Sequence, residues 1–81
     1  MVIRLNILVK LRAHDVRHTC EIISKIGGVM RTDRIAGAYD VIAYAELKSV
    51  NELKRLMDRL YQVPGFLHAD TCLALEATSI R

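Results

Sequence analysis

Apolar residues alternate from the start of the chain. Ile3, Leu5, Ile7, Val9 and Leu11 fall on one side of an extended backbone, and Arg4, Asn6, Leu8 and Lys10 on the other. A period of two belongs to a strand with one face in a core, so Val2 to Leu11 is predicted as a strand. The period then lengthens. Val16, Cys20 and Ile23, with Ile22 and Ile26 beside them, recur at helical spacing, and Asp15 is placed to cap a helix running through Ile26. Gly27-Gly28 ends it, because glycine adopts the left-handed conformation that closes helices. Val29 to Ala36 follows as a second, more polar strand, and Val41 to Leu47 as a third.

Ser49-Val50-Asn51-Glu52 opens a second helix. A serine cap with glutamate three residues on is a capping box, in which each side chain satisfies a backbone N–H at the other's position. Val50, Leu53, Leu56, Met57 and Leu60 supply the apolar stripe. Pro64-Gly65 stops this helix, and Phe66 to Glu76 predicts a fourth strand before a short tail. The order is β-α-β-β-α-β, and its halves echo each other. "KIGGVMRTD" (Lys25 to Asp33) and "QVPGFLHAD" (Gln62 to Asp70) each join a helix end to a strand through an apolar residue and a glycine. Two right-handed βαβ units of this kind make an α+β domain. The expected architecture is the ferredoxin-like split βαβ fold: a four-stranded antiparallel sheet with both helices on one face.

One sheet face would then be bare, carrying Leu8, Ile42 and Tyr44 among Arg4, Asn6 and Lys10. Apolar groups left open among polar ones point to a partner surface, and a second copy of the same sheet is the simplest partner. At 81 residues, 52% of them hydrophobic, the chain reads as one domain spanning 1–81 with a single modest core. Its net charge of +3 is spread along the whole length and interleaved with acids, which describes a mixed-sign surface. Neither direct DNA binding nor a membrane partner is expected. No apolar run approaches a membrane span. Two cysteines, Cys20 and Cys72, are too few for a disulfide framework, and no signal-peptide pattern follows Met1. A cytoplasmic setting is expected.

Candidate chemistry is sparse. There is no Gly-rich phosphate loop, nucleophile elbow or Cys-x-x-Cys pair. His14 and His18 have the spacing of a metal pair, but only His18 falls firmly within the helix. A third ligand would have to come from His68 or Glu21. These read as surface histidines, Cys20 as a core residue, and no cofactor or metal is expected. RNA recognition on this fold needs aromatics on the central strands, and the first strand has none. What remains is Gly37-Ala38-Tyr39-Asp40, between the second and third strands. It reads either as a plain hairpin or as a small-molecule site. In the second case glycine admits a close approach, Tyr39 gives an amphipathic wall and Asp40 accepts from an ammonium.

The sequence resembles the regulation-of-amino-acid-metabolism (RAM) module, the effector domain of Lrp/AsnC feast/famine transcription regulators. The resemblance runs from about Val2 to Leu75 and is carried by "IGGV", "GAYDVIAYAEL" and "VPGFLHADTCLAL". Members typically carry a helix-turn-helix before this module, so the chain resembles a stand-alone RAM protein. The family binds amino acids or related metabolites where dimers meet. Carried over by position, the resemblance implicates Gly37, Tyr39, Asp40 and Thr71 in ligand binding. Ala69 departs from the pattern, standing where many members have a second threonine. The resemblance implies a non-enzymatic sensing module, a homodimer assembling into an octamer- or decamer-like ring, and co-assembly with full-length Lrp/AsnC regulators. The alternatives are a small enzyme of the dimeric α+β barrel type, using a cavity between sheet and helices, and a ligand-free assembly partner.

Overall fold

The computed structural model describes residues 2–12 and 16–75. Asp15, His14 and Glu76, nominated above for a helix cap, a histidine pair and a strand end, lie outside the described residues. Six elements follow in the expected order: β1 (Ile3–Leu11), α1 (Val16–Ser24), β2 (Val29–Arg34), β3 (Val41–Leu47), α2 (Val50–Leu60) and β4 (Phe66–Leu73). The strands form one antiparallel sheet in the order β2-β3-β1-β4. This is the ferredoxin-like arrangement.

The alternation along β1 dictates the layering. Leu5, Ile7, Val9 and Leu11 are buried, as are Val41, Ala43, Ala45 and Leu47 of β3, which lie on the same face. They share one core with Cys20, Ile23 and Ile26 on the α1 side and Leu56, Leu60 and Val63 on the α2 side, so both helices cover that face. Fully burying aliphatic side chains contributes about 1.5–3 kcal/mol each, and this layer holds most of them. Leu8, Ile42 and Tyr44 on the other face are half-buried among exposed Arg4, Asn6 and Lys10.

The two echoing segments form the same turn twice. Val29 N–H donates to Ile26 O at 3.0 Å, and Phe66 N–H to Val63 O at 3.2 Å. The third residue of each turn is a glycine with positive φ, Gly28 at 96° and Gly65 at 77°. In both, the glycine carbonyl then accepts from a neighbouring strand, Glu46 N–H at 2.9 Å and Arg12 N–H at 2.7 Å. Pro64 before Gly65 fits the second position of a type II turn, which requires positive φ at the third.

Several boundaries and one burial assignment differ from the sequence reading. α1 stops at Ser24, and Lys25 and Ile26 continue through N–H bonds to Ile22 O and Ile23 O, three residues back. Such tightening is usual where the last carbonyls lack helical partners. β2 ends at Arg34 rather than Ala36, because Ile35 N–H already turns to Asp40 O at 2.9 Å to close the hairpin. β4 ends at Leu73: its pairing with β1 runs out when Ala74 N–H reaches Arg4 O, near the start of β1. Val50, assigned to the buried stripe, is 58% exposed, since the first residue of α2 precedes the turn that meets the core. The capping box forms, with a shift. Ser49 Oγ accepts from Glu52 N–H at 3.2 Å, while Glu52 Oε2 accepts from Lys48 N–H at 2.7 Å, one residue before the cap.

Gly28 and Gly27 should separate in a stability measurement. A Cβ on Gly28 would overlap Leu47 Cδ2 and sit at unfavourable φ, whereas one on Gly27 meets nothing within 4 Å. Gly28→Ala is expected to cost roughly 1–3 kcal/mol, and Gly27→Ala to be neutral or slightly stabilising. Urea unfolding of the two variants checks this.

Candidate functional site at the hairpin rim

Three strands converge at the β2–β3 hairpin, and Asp40 is the residue that joins them. Its N–H donates to Val9 O and its carbonyl accepts from Ile35 N–H, both at 2.9 Å. Its carboxylate Oδ2 accepts from Leu11 N–H at 2.8 Å. The β1–β3 pairing has ended at Val9–Val41, so the side chain supplies the acceptor that the third strand no longer offers. One carboxylate oxygen of Asp40 is therefore committed to the scaffold. Gly37 has φ of 139°, and a Cβ there would meet nothing within 4 Å. Glycine is needed there for backbone conformation, and the space beside it is open.

Tyr39 and Lys10 span the open sheet face. The Tyr39 hydroxyl donates to Asp70 Oδ2 on β4, and Asp70 Oδ1 lies 3.1 Å from His68 Nε2. Lys10 Nζ donates to Ala38 O at 3.2 Å. The register explains the convergence, since Lys10 pairs with His68 and Leu8 with Asp70. Tyr39 thus reaches across β1 to the edge strand, and the hairpin tip is stapled to both. Lys10, His68 and Asp70 were missed as members of this cluster. The available signal was the period of two along β4, which puts His68, Asp70 and Cys72 on the face of Leu8 and Lys10.

Thr71 is elsewhere. It pairs with Ile7 and so lies on the helix-covered side, exposed, with its hydroxyl 4.0 Å from Met57 Sδ. Ala69 pairs with Val9 and packs against the core on the same side. Asp40 and Thr71 are two strands apart and about three residues along, a separation on the order of 14 Å at ordinary sheet spacings. The four nominated residues therefore divide into a hairpin group and a lone threonine on the opposite face.

Thr19 is the buried polar residue among the described residues, and its hydroxyl donates to Pro64 O at 3.2 Å. Cys20 is buried and Cys72 exposed, both as free thiols. No group of three metal-ligating side chains occurs among the described residues. None of their helices is long and apolar enough to cross a membrane.

A split βαβ sheet with one covered face, one open face and a pinned hairpin defines a ferredoxin-like domain. The chain belongs to the Lrp/AsnC ligand-binding domain family, whose model matches residues 5–81. These are regulatory domains of transcription regulators, not an enzyme family. Comparison with curated protein sequences gives no match. Among solved structures, the chain is similar to TTHA0845 from Thermus thermophilus, with 26% identity and a TM-score of 0.87, over 96% of this chain and 99% of that one. Escherichia coli AsnC shares the fold at 16% identity and a TM-score of 0.84, over 98% of this chain and 54% of its own. The transcriptional regulator NMB0573 from Neisseria meningitidis, solved as a complex with L-Met, does so at 21% and 0.81, over 96% of this chain and 53% of that one. The chain thus spans about half the length of these two regulators.

The scaffold role of Asp40 can be tested by stability alone. Asp40→Ala leaves Leu11 N–H without an acceptor beside a buried residue and should cost about 1–3 kcal/mol. Asp40→Asn keeps an amide oxygen in place and should cost less than about 1 kcal/mol. Chemical denaturation of the two variants, at one protein concentration, reads the difference.

Proposed function

We propose that the chain is a non-enzymatic effector-sensing and assembly module. It pairs through its open sheet face, the pairs associate further into a ring, and an amino acid or related small metabolite binds in the clefts between pairs. The observation that carries this reading is the family match over residues 5–81. Gly37, Tyr39, Asp40 and Thr71 line the cleft in this reading. It also accounts for their separation within one chain, because a pocket using both groups needs more than one copy. The L-Met complex of the Neisseria meningitidis regulator supports an amino acid as the ligand class. Co-assembly with full-length Lrp/AsnC regulators is the route by which such a module would act on transcription.

The dimensions of the molecule favour pairing by the open face. The Cα envelope measures 36 × 33 × 17 Å, so the sheet presents a broad face to solvent. That face is ample for the roughly 800 Å² per partner of a standard interface. Leu8, Ile42 and Tyr44 form its apolar centre. Around them stand the Arg4–Glu46 pair at 3.8 Å and the Arg31 guanidinium stacked 4.5 Å above the Tyr44 ring. An apolar centre with aromatic and arginine groups and a polar rim is the usual composition of such contacts.

Light scattering is expected to give a mass of at least twice 9.2 kDa at micromolar concentration. Leu8→Glu should dissociate the assembly, whereas Asn51→Glu on exposed α2 should not. Wild-type particles of 9.2 kDa would overturn the pairing.

A thermal-shift screen of the common amino acids, followed by calorimetry, tests the sensing. The ligand ammonium needs an anionic partner, and a charge-assisted hydrogen bond contributes about 1.5–3 kcal/mol. Asp40→Asn, which keeps the scaffold bond, should therefore weaken binding roughly tenfold or more. Thr71→Val should cost about 1 kcal/mol. Equal affinity of wild type and Asp40→Asn for the amino acid would move the pocket away from the hairpin.

A further inference from the structure

On the helix layer, the side opposite the open sheet face, a cleft runs between the end of α1 and the flank of α2. Its larger part is a cavity of about 400 Å³ bounded by Gly27, Gly28, Leu47, Leu56, Arg55 and Arg59, with Glu52 at one wall. Arg59 also borders a second cavity of about 280 Å³, whose walls include Ile26, Val63 and Lys25. The floor is apolar: Leu47 and Leu56 are each 2% exposed, and Ile26 and Val63 each 7%. The rim is cationic, since Lys25, Arg55 and Arg59 are exposed. Glu52 bonds Lys48 N–H through one carboxylate oxygen, and among the described residues it forms no ion pair with Arg55 or Arg59. The ion pairs among the described residues are Arg4–Glu46, Arg31–Asp33 and His68–Asp70, all on the open sheet face.

We propose that this cleft is a ligand site, separate from the hairpin, for a small organic anion: a carboxylate or phosphate joined to an apolar body. Three features select that class. The volume lies in the range of small-molecule sites, whose walls are mostly apolar with a few placed polar groups. Arg55 and Arg59 are four residues apart on α2, so their side chains rise from one helical face. Guanidinium groups offer the forked donors that match carboxylate and phosphate oxygens. Gly27 keeps the mouth open. Its φ is not positive and a Cβ there meets nothing within 4 Å, so glycine is not required by the backbone or by packing. A larger side chain at that position would occupy the cavity instead.

Phenyl phosphate is a suitable probe, with inorganic phosphate as the anion alone and benzyl alcohol as the apolar body alone. Amide correlation spectra of the ¹⁵N-labelled protein are expected to show saturable shifts at Gly27, Gly28, Leu56 and Arg59. Phenyl phosphate should bind at least about tenfold tighter than either half-probe, and more weakly as salt rises. Arg59→Ala and Gly27→Leu should each weaken it about tenfold or more, while Arg4→Ala on the open face leaves it unchanged. Gly27→Leu tests occupancy with the charges intact, and Arg59→Ala tests charge with the cavity open, so either alone decides if the other fails to fold. Absence of saturable shifts, shifts confined to the open sheet face, or full affinity in both variants would overturn the site. Saturation of these amides by an acidic helical peptide, with none by phenyl phosphate, would overturn the small-molecule class.

Discussion

Everything in this domain hangs on β1. It is paired on both edges, with β3 and β4, and so holds the middle of the sheet. Its core face is an unbroken series of Leu5, Ile7, Val9 and Leu11, none more than 4% exposed. Because side chains alternate strictly, a one-residue slip would bury Arg4, Asn6 and Lys10 and expose that series. The strand therefore has one register and one covered side. With the helices drawn to that side, the other side is left bare by the same constraint.

The second organising element is the repeated turn. A chain that leaves a helix and enters the sheet must reverse within a few residues, and here it does so twice by the same bonds. Gly28 and Gly65 supply positive φ, and their carbonyls accept from Glu46 and Arg12. Each turn thereby anchors an edge strand, β2 or β4, to a strand nearer the centre. The equivalence is not complete. At Gly28 the packing against Leu47 leaves no room for a Cβ, whereas at Gly65 the nearest atoms, those of Arg12, stand at ordinary contact distance. The first glycine is fixed by conformation and packing together, the second by conformation.

The fold was legible in the sequence because its signals are local. The period of two in β1, the glycine punctuation and Ser49 with Glu52 each act within a few residues. The boundaries that moved did so for reasons outside those windows. β4 stops where β1 offers no further partner, and β2 stops where Asp40 closes the hairpin. Val50 lies at a helix start, where the stripe has not yet turned inward. The candidate site was less legible, since its contacts join distant positions. Tyr39 meets Asp70 and Lys10 meets Ala38 across three strands, and no pattern within the hairpin predicts either. Composition allowed two readings of Tyr39 and Asp40, turn or pocket, and the bonds to Leu11 and Asp70 belong to the first.

That duality bears on how a ligand could be read at the rim. A carboxylate has about four lone-pair directions, and Asp40 commits one oxygen to Leu11 N–H, leaving the other for a cation. Tyr39 is tied to Asp70, so its ring is held over the face by a bond that a ligand or partner could compete for. Binding at such a rim would act on groups that already join β1, the hairpin and β4. A ligand drawing on Asp40 pulls on the end of the central strand. One displacing Tyr39 releases the hairpin from the edge strand, on the same face that is open to a second copy. The physical link between a small molecule and an assembly would then be short: one carboxylate, one phenol and the strand between them.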